Sequence, residues 1–371
     1  MAMPEILVLN TGSSSLKFAL HEEGGPEPSL RGQVRDLYGR ARLIIGEEEE
    51  AFASDGLAGA VASVIARIGG TEPRIGAVAH RVVHGAGLRG PLFVDEAAQA
   101  QIEALVPLAP LHQSSALLAI EAARSALPDA IQIASFDTDF HAGMPDRAAR
   151  LPLPRRFHEA GIRRYGFHGL SYRSVAERIW GPGTPGHARA VACHLGSGSS
   201  LCALVEGRSV ETTMGLTALG GLPMATRTGD LDPGVVLHLL RQGGLPLSEA
   251  ERLLSQESGL AGISGSTGDI GRLLHEPDEA AAQAVEVYCH RAAMGIAAMA
   301  VAAGGIDALV FTGGVGEHLP QVRERICSRL RPLGIVPGGK GGVPVLVLPS
   351  DEEGVLRADA LTLLAHKGPR G

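Results

Sequence analysis

Three turns rich in small residues are the parts of this chain best suited to chemistry: 11–15 (TGSSS), 196–200 (GSGSS) and 312–317 (TGGVGE). Glycine lets the backbone approach a phosphate closely, and serine hydroxyls and main-chain amides donate to its oxygens. Each turn follows an apolar run, hence a strand end, and three such turns fit a nucleotide lying across a cleft. Composition singles out the first. Asn10 is the only asparagine, and lysine occurs only at 17, 340 and 367, so arginine supplies the rest of the 33 basic residues. A sequence that avoids both types yet sets Asn10 and Lys17 on either side of one turn needs them there. A fourth candidate, 334–340, approaches the GxxxxGK[ST] phosphate loop. There Gly341 stands where a magnesium-binding hydroxyl is required and an apolar strand, 344–348, follows where a helix should, so it reads as a plain turn.

The elements that position these turns read as α/β. The run 6–9, the turn and the alternating 16–20 form strand, turn, strand, and 190–205 repeats the pattern with one residue inserted, aligning Asn10 with His194. Further strands are expected at 76–79, 131–136 and 308–312. Helices are expected at 56–68, 95–106, 114–127, 171–179 and 279–303, with Asp232-Pro233 as a helix start and Ser248 with Glu251 as a capping box. The length of 371 residues favours two domains, and 45% hydrophobic residues suffice for two cores. A formal charge of −7 argues against a nucleic-acid partner and requires any anionic substrate to be held by local arginines. Cys193, Cys202, Cys289 and Cys327 form no CxxC pair and read as reduced thiols. The start, MAMPEILVLN, has no basic region ahead of its apolar run, and the longest apolar stretch, 292–306, is too short to span a bilayer. A cytoplasmic chain with no membrane partner is expected, with 292–306 a buried helix.

Longer motifs resemble the acetate kinases: VLNTGSSSLKFAL at 8–20, HRVVHG at 80–85, LAPLH at 108–112, FDTDFH at 136–141, YGFHG at 165–169, HLGSG at 194–198, MGLT at 214–217, TRTGDLDP at 226–233, SGLAGISG at 258–265, FTGGVGE at 311–317 and DEE at 351–353. The resemblance implies two similar ribonuclease-H-like domains of the actin and sugar-kinase superfamily with an interdomain cleft. One domain would be 1–139, completed by a C-terminal helix at 355–371, and the other 140–354, carrying nucleotide binding and dimerisation. It implies a homodimer that transfers the γ-phosphoryl of ATP directly to acetate with Mg²⁺, Mn²⁺ being a possible substitute. By position in the motifs, Asn10 and Glu352 match metal-site residues, with Glu353 the alternative to Glu352. Arg81, Asp137, His168 and Arg227 match catalytic residues, and Val83, Leu111, Phe167 and Ala218 match the pocket for the acyl methyl. Nucleotide binding falls to Ser13, Ser15, Lys17, His194, Gly196, Ser197, Gly198, Asp269, Ile270, Gly271, Gly314, Val315, Gly316 and His318.

The chemistry is consistent with those roles. A carboxylate with a pKa near 4–5 is already an anion at neutral pH and needs no general base. The difficulty is bringing one anion to another, which two arginines and a metal relieve by neutralising the phosphoryl oxygens. Neither arginine lies in an apolar core pattern, so the fold is expected to tolerate loss of either. His80 and His84 read as structural rather than as a metal pair, His168 as a hydrogen-bond donor to the phosphoryl, and His112, His141 and His194 as active-site lining. The family pattern is broken at Gln113, Ser197 and His318, where asparagine is usual, at Gly271 and Ile270, which replace an arginine and an aromatic at the adenine, and at Ala218 and Gly220, which replace a proline and a glutamate. Propionate or another short acid is therefore an alternative substrate, and a weakly active nucleotide-binding regulator is the alternative of another class.

Overall fold

The computed structural model describes residues 5–12, 15–22, 25, 27–52, 55–68, 75–181, 188–241, 243–335 and 342–366, apart from the side chain of Leu111. The chain divides into two compact units, 1–139 with 351–371, and 140–350. In the first unit the strands are β1 (Glu5–Thr11), β2 (Leu16–His21), β3 (Leu30–Arg35), β4 (Arg42–Ile45), β5 (Glu48–Ala51), β6 (Ile75–Val82), β7 (Leu92–Phe93) and β8 (Ile131–Phe136). They form one sheet in the order β5-β4-β3-β2-β1-β6-β8-β7. β1 pairs antiparallel with β2 and parallel with β6, and β6 pairs parallel with β8. A strand covered on both faces reads as a continuous apolar run, which is what 6–9 shows. Leu7 and Leu9 pack with the helices Gly56–Ile68 and Pro110–Ala126. Alternation along the strand turns Ile6, Val8 and Asn10 to the opposite face, where the C-terminal helix Glu352–His366 lies against β1, β6 and β8. That helix begins three residues ahead of its expected start.

The second unit has β9 (Arg189–Leu195), β10 (Ser199–Val205), β11 (Arg208–Thr212), β12 (Ala308–Thr312) and β13 (Val345–Val347) in the order β11-β10-β9-β12-β13. β9 repeats the surroundings of β1, with an antiparallel hairpin partner on one side and a parallel strand on the other. Asn10 stands opposite Lys17 and His194 opposite Ser200, so the internal repeat read from sequence is a repeat of topology. The helix Glu279–Ala302 packs on the sheet through Ala284, Tyr288, Ala292 and Ile296. It is not buried all round as expected: Met294 is 60% and Val301 81% exposed.

Helix starts follow local chemistry. Asp232 Oδ1 accepts from the Gly234 amide at 2.8 Å ahead of Pro233–Arg241, as its Asp-Pro pair predicts. The expected Ser248 capping box is absent. The helix starts at Leu247 behind Pro246, whose fixed φ sets the first turn, and Ser248 falls inside it. The four cysteines are buried and free. No helix among the described residues is long and apolar enough to cross a membrane.

Candidate functional site

In the first unit the carboxyl ends of three adjacent parallel strands bring together side chains from distant parts of the chain. Ligands of open α/β sheets collect at such ends. β1 supplies Asn10, β6 supplies Arg81, and Asp137 follows β8 directly. Arg81 donates from Nε at 3.1 Å and from Nη2 at 2.7 Å to Asp137 Oδ2, and from Nη1 at 3.3 Å to Asn10 Oδ1. Asn10 Nδ2 in turn donates to Glu352 Oε2 at 2.8 Å, and that oxygen lies 3.7 Å from Arg81 Nη1. Burial works against the charge on Arg81, but the Asp137 and Glu352 carboxylates outweigh it and hold the guanidinium firmly protonated. Its side chain is 15% exposed and that of Asp137 wholly buried. The pair is therefore largely shielded from solvent, a setting that the expected tolerance of the fold to loss of Arg81 did not take into account.

Around this group, Lys17 is exposed opposite Asn10, Ser15 is half-buried, and Val83 is buried. Ser13 lies outside the described residues, as does the side chain of Leu111. Glu353 stands beside Glu352 in the first turn of the C-terminal helix, but it is Glu352 that bonds Asn10. The two histidines near Arg81, expected to be structural, both hydrogen-bond within the first unit. His80 Nε2 bonds Gln132 Oε1 at 2.8 Å, and burial pushes its pKa down to about 4. His84 Nδ1 accepts from the Ala86 amide at 3.0 Å.

The second unit assembles a different group. His168, at φ +56°, holds the left-handed conformation that side chains rarely adopt, immediately before the helix Gly169–Trp180. Its ring stacks on His194 with centroids 4.1 Å apart, and its Nδ1 bonds Ser200 Oγ at 2.8 Å. His194 Nδ1 bonds Ser171 Oγ at 2.8 Å, and Ser171 Oγ bonds Ser350 Oγ at 3.2 Å. These serines fix the rotation of both rings; Ser200 lies in the second turn, whereas sequence reasoning missed Ser171 and Ser350, serine being common and the two standing 179 residues apart. A Cβ placed on Gly198 would lie 3.3 Å from His168 Nε2 and 3.6 Å from Arg227 Nη2, so the turn 196–198 closes directly on both groups. Arg227 is also held by Nη1 donating to the Ala218 carbonyl at 2.9 Å. His168, His194, Gly196, Gly198, Arg227 and Ala218 thus share one locality.

Other expected residues have different surroundings. Phe167 is buried, and its carbonyl is bonded by His141 Nε2 at 3.0 Å. His141 is itself buried, bonds Ser209 through Nδ1, and has its pKa lowered by burial to about 4; it supports the 165–169 segment from beneath instead of lining a site. In the third turn, Gly314, Val315, Gly316 and His318 belong to the short helix Gly313–His318. Glu317 Oε1 accepts there from the Gly313 and Ser350 amides at 2.9 and 3.0 Å. Asp269 Oδ1 caps the turn Ile270–Leu273 by accepting from Gly271 and Arg272.

The sequence matches the acetokinase family model over residues 5–338. The chain belongs to the acetokinase family. It is 44% identical over 349 residues to the acetate kinase of Rhodopseudomonas palustris strain TIE-1, covering 89% of this chain and 87% of that protein. It is 38% identical to the acetate kinase of Streptomyces coelicolor, covering 99% of each. Among solved structures, a propionate kinase from Francisella tularensis superposes with a TM-score of 0.87 at 31% identity, covering 95% of this chain and 98% of the other. Porphyromonas gingivalis acetate kinase gives 0.85 at 32%, covering 98% and 100%. The chain shares the fold of these acetokinase structures, an α/β fold with two sheets, in keeping with the class that the resemblance implied.

Several departures from the acetokinase pattern now have physical settings. Gln113 reaches across to His84, taking its amide at 3.2 Å and donating to its carbonyl at 2.8 Å, so the longer amide braces the β6 exit. Ile270 is buried in the main core of the second unit. A Cβ on Gly271 would lie 3.1 Å from Asp269 Oδ1 and 3.8 Å from Leu319, and the adjoining surface cavity of about 440 Å³ is lined by Asp269, Gly271, Arg272, His275 and Glu276.

Proposed function

We propose that this acetokinase transfers the γ-phosphoryl group of ATP to acetate, directly and reversibly, giving acetyl phosphate and ADP. The observation that carries the reading is Arg81, held charged between buried Asp137 and the Asn10–Glu352 pair, where a planar fork can be offered to a phosphoryl group. Arg227 and His168, converging on Gly198, supply a second set of donors. Acetate brings its own negative charge and needs no base; the chain's task is to bind two anions, orient them, and neutralise oxygens whose charge spreads in the transition state. Val83, Leu111, Phe167 and Ala218 are assigned to the acyl methyl, and the turns at 13–17, 196–198 and 314–318 with 269–271 to the nucleotide.

A divalent cation fits the first unit's donor set. Asn10 and Glu352 offer carboxamide and carboxylate oxygens, the hard donors Mg²⁺ prefers; in the structure Asn10 Nδ2 is bonded to Glu352 and Asn10 Oδ1 to Arg81, so the carboxamide would present its oxygen to a cation only on turning. Mg²⁺ is ordinarily held by one or two protein oxygens together with waters and substrate phosphates, so two suffice. When bound, it would neutralise phosphate charge; Mn²⁺ would substitute. Asn10 and Glu352 would hold it.

A second carboxylate is supported by a specific feature. Ala218 stands where a ring is usual, which frees space for one or two methylenes, each contributing about 0.8 kcal/mol on burial. Propionate is accordingly expected to be used comparably to acetate. A cytoplasmic homodimer completes the reading. No residue of the helix Pro233–Arg241 is buried, and Leu231, Val235 and Leu237 are 40–48% exposed, an apolar face suited to a second copy. The test is trapping of acyl phosphate as hydroxamate across acetate, propionate and butyrate, with and without Mg²⁺. Absence of product with every acid at saturating Mg²⁺ and ATP defeats the reading. Propionate turned over a hundredfold less efficiently than acetate removes the pocket argument alone.

A further inference from the structure

The C-terminal helix Glu352–His366 carries two carboxylates on the face that meets the sheet. Glu352 is 9% exposed and Asp359 4%. Seven residues make two helical turns, about 10 Å of rise, so both project from one side. Their partners differ. Glu352 bonds Asn10 and faces Arg81, whereas Asp359 Oδ2 accepts from Ser135 Oγ at 2.8 Å. Packing explains neither acid. Val355, Leu356 and Ala360 already supply the helix with a buried apolar face, and another apolar residue at 359 would cost no desolvation.

Ser135 sits at a telling place. It is the register partner of Arg81 across β6 and β8, and it precedes by two residues Asp137, which takes two hydrogen bonds from Arg81. Glu352, by contrast, is the first residue of its helix, where ends fray and one hydrogen bond fixes position weakly. A second polar attachment two turns further along removes both sliding and rotation of the helix against β8.

We infer that Asp359 is a positioning residue: through Ser135 it locks the C-terminal helix to the carboxyl end of β8 in the register that aligns Glu352 with Asn10 and Arg81. The inference rests on the reading of Asn10 and Glu352 as the metal-holding residues and assigns their alignment to a residue that touches neither metal nor substrate. Loss of such a support weakens metal binding, typically by 10–100-fold, while leaving the acyl pocket alone.

The experiment compares Asp359→Ala, Asp359→Asn, Ser135→Ala and Glu352→Gln in the full chain. Two readouts are taken: Mn²⁺ affinity in the presence of ADP, by electron paramagnetic resonance, and the Mg²⁺ requirement of hydroxamate formation. Asp359→Ala and Ser135→Ala are each expected to weaken Mn²⁺ binding about tenfold or more, with the KM for acetate within about twofold of the parent. Their double variant should be no worse than Asp359→Ala alone, because the Ser135–Asp359 hydrogen bond is already lost in it. Asp359→Asn keeps an acceptor oxygen and should recover most of the affinity. If Asp359→Ala fails to fold, Ser135→Ala and Asp359→Asn carry the same test. Unchanged Mn²⁺ affinity in Ser135→Ala and Asp359→Ala, with Glu352→Gln weakened, overturns the positioning role alone. Unchanged affinity in Glu352→Gln overturns the metal-site reading and the inference with it.

Discussion

Replacing Arg81 separates the catalytic reading from the structural one, because the structure ties the same guanidinium to both. Arg81→Ala removes two charge-assisted hydrogen bonds, of 2.7 and 3.1 Å, from an Asp137 carboxylate with no exposed surface. Deleting one member of a buried ion pair strands charge in the interior and typically costs about 3–5 kcal/mol, roughly 6–20 °C in the unfolding midpoint of a unit this size. Independently, loss of a group that neutralises phosphoryl charge should lower kcat by about 10³–10⁵-fold with a smaller change in ATP affinity. The two effects part company in Arg81→Ala/Asp137→Asn. Neutralising the aspartate removes the stranded charge, so most of the stability returns while the rate does not. Arg81→Lys keeps the charge without the fork and should recover only part of the rate. The comparison is Arg227→Ala, whose guanidinium donates to the neutral Ala218 carbonyl: its kcat should fall similarly with a smaller shift of the midpoint than in Arg81→Ala. The assays are hydroxamate formation, calorimetric ATP binding and thermal unfolding. Arg81→Ala as stable as the parent would show that Asp137 draws its counter-charge from elsewhere. A rate restored in the double variant, or a near-normal kcat with a raised KM for acetate in the single, would refute the transition-state role.

Three further outcomes follow from particular contacts. Burial holds His80 and His141 near pKa 4 against about 6.5 when unfolded. Their contribution is complete above pH 6.5 and is lost as the pH falls from there towards 4, up to on the order of 3 kcal/mol for each; urea unfolding between pH 7 and 4.5 with no loss of stability would contradict it. Gly198→Ala brings a methyl to 3.3 Å of His168 Nε2 and 3.6 Å of Arg227 Nη2, so kcat should drop at least about tenfold with the fold intact, as judged by circular dichroism and the unfolding midpoint. With glycine at 271, a stacking contact of about 0.5–2 kcal/mol over the purine is missing, and ATP should be preferred over GTP by less than about a hundredfold in kcat/KM.

Local sequence by itself determined much of this protein. The apolar run ending in a glycine turn, met twice, specified β1–β2 and β9–β10, since strand alternation and tight-turn chemistry are short-range properties. The helix 56–68 and the strands 131–136 and 308–312 have their expected bounds because their apolar periodicity is uninterrupted and their ends are marked locally. The rarity of asparagine marked Asn10, and ordered motifs marked Arg81, Asp137, His168, Arg227 and Glu352. What only the tertiary structure decided are the partnerships. Asn10 meets Glu352 across 342 residues, and Ser135 meets Asp359 across 224. No periodicity carries information over such distances; parallel pairing of β1, β6 and β8, with one helix laid across them, creates those contacts. Tertiary packing likewise decided that Arg81, on a strand whose sequence reads as partly polar, is interior and charged. Its stability depends on Asp137, whose own burial follows from its place just beyond the end of a central strand.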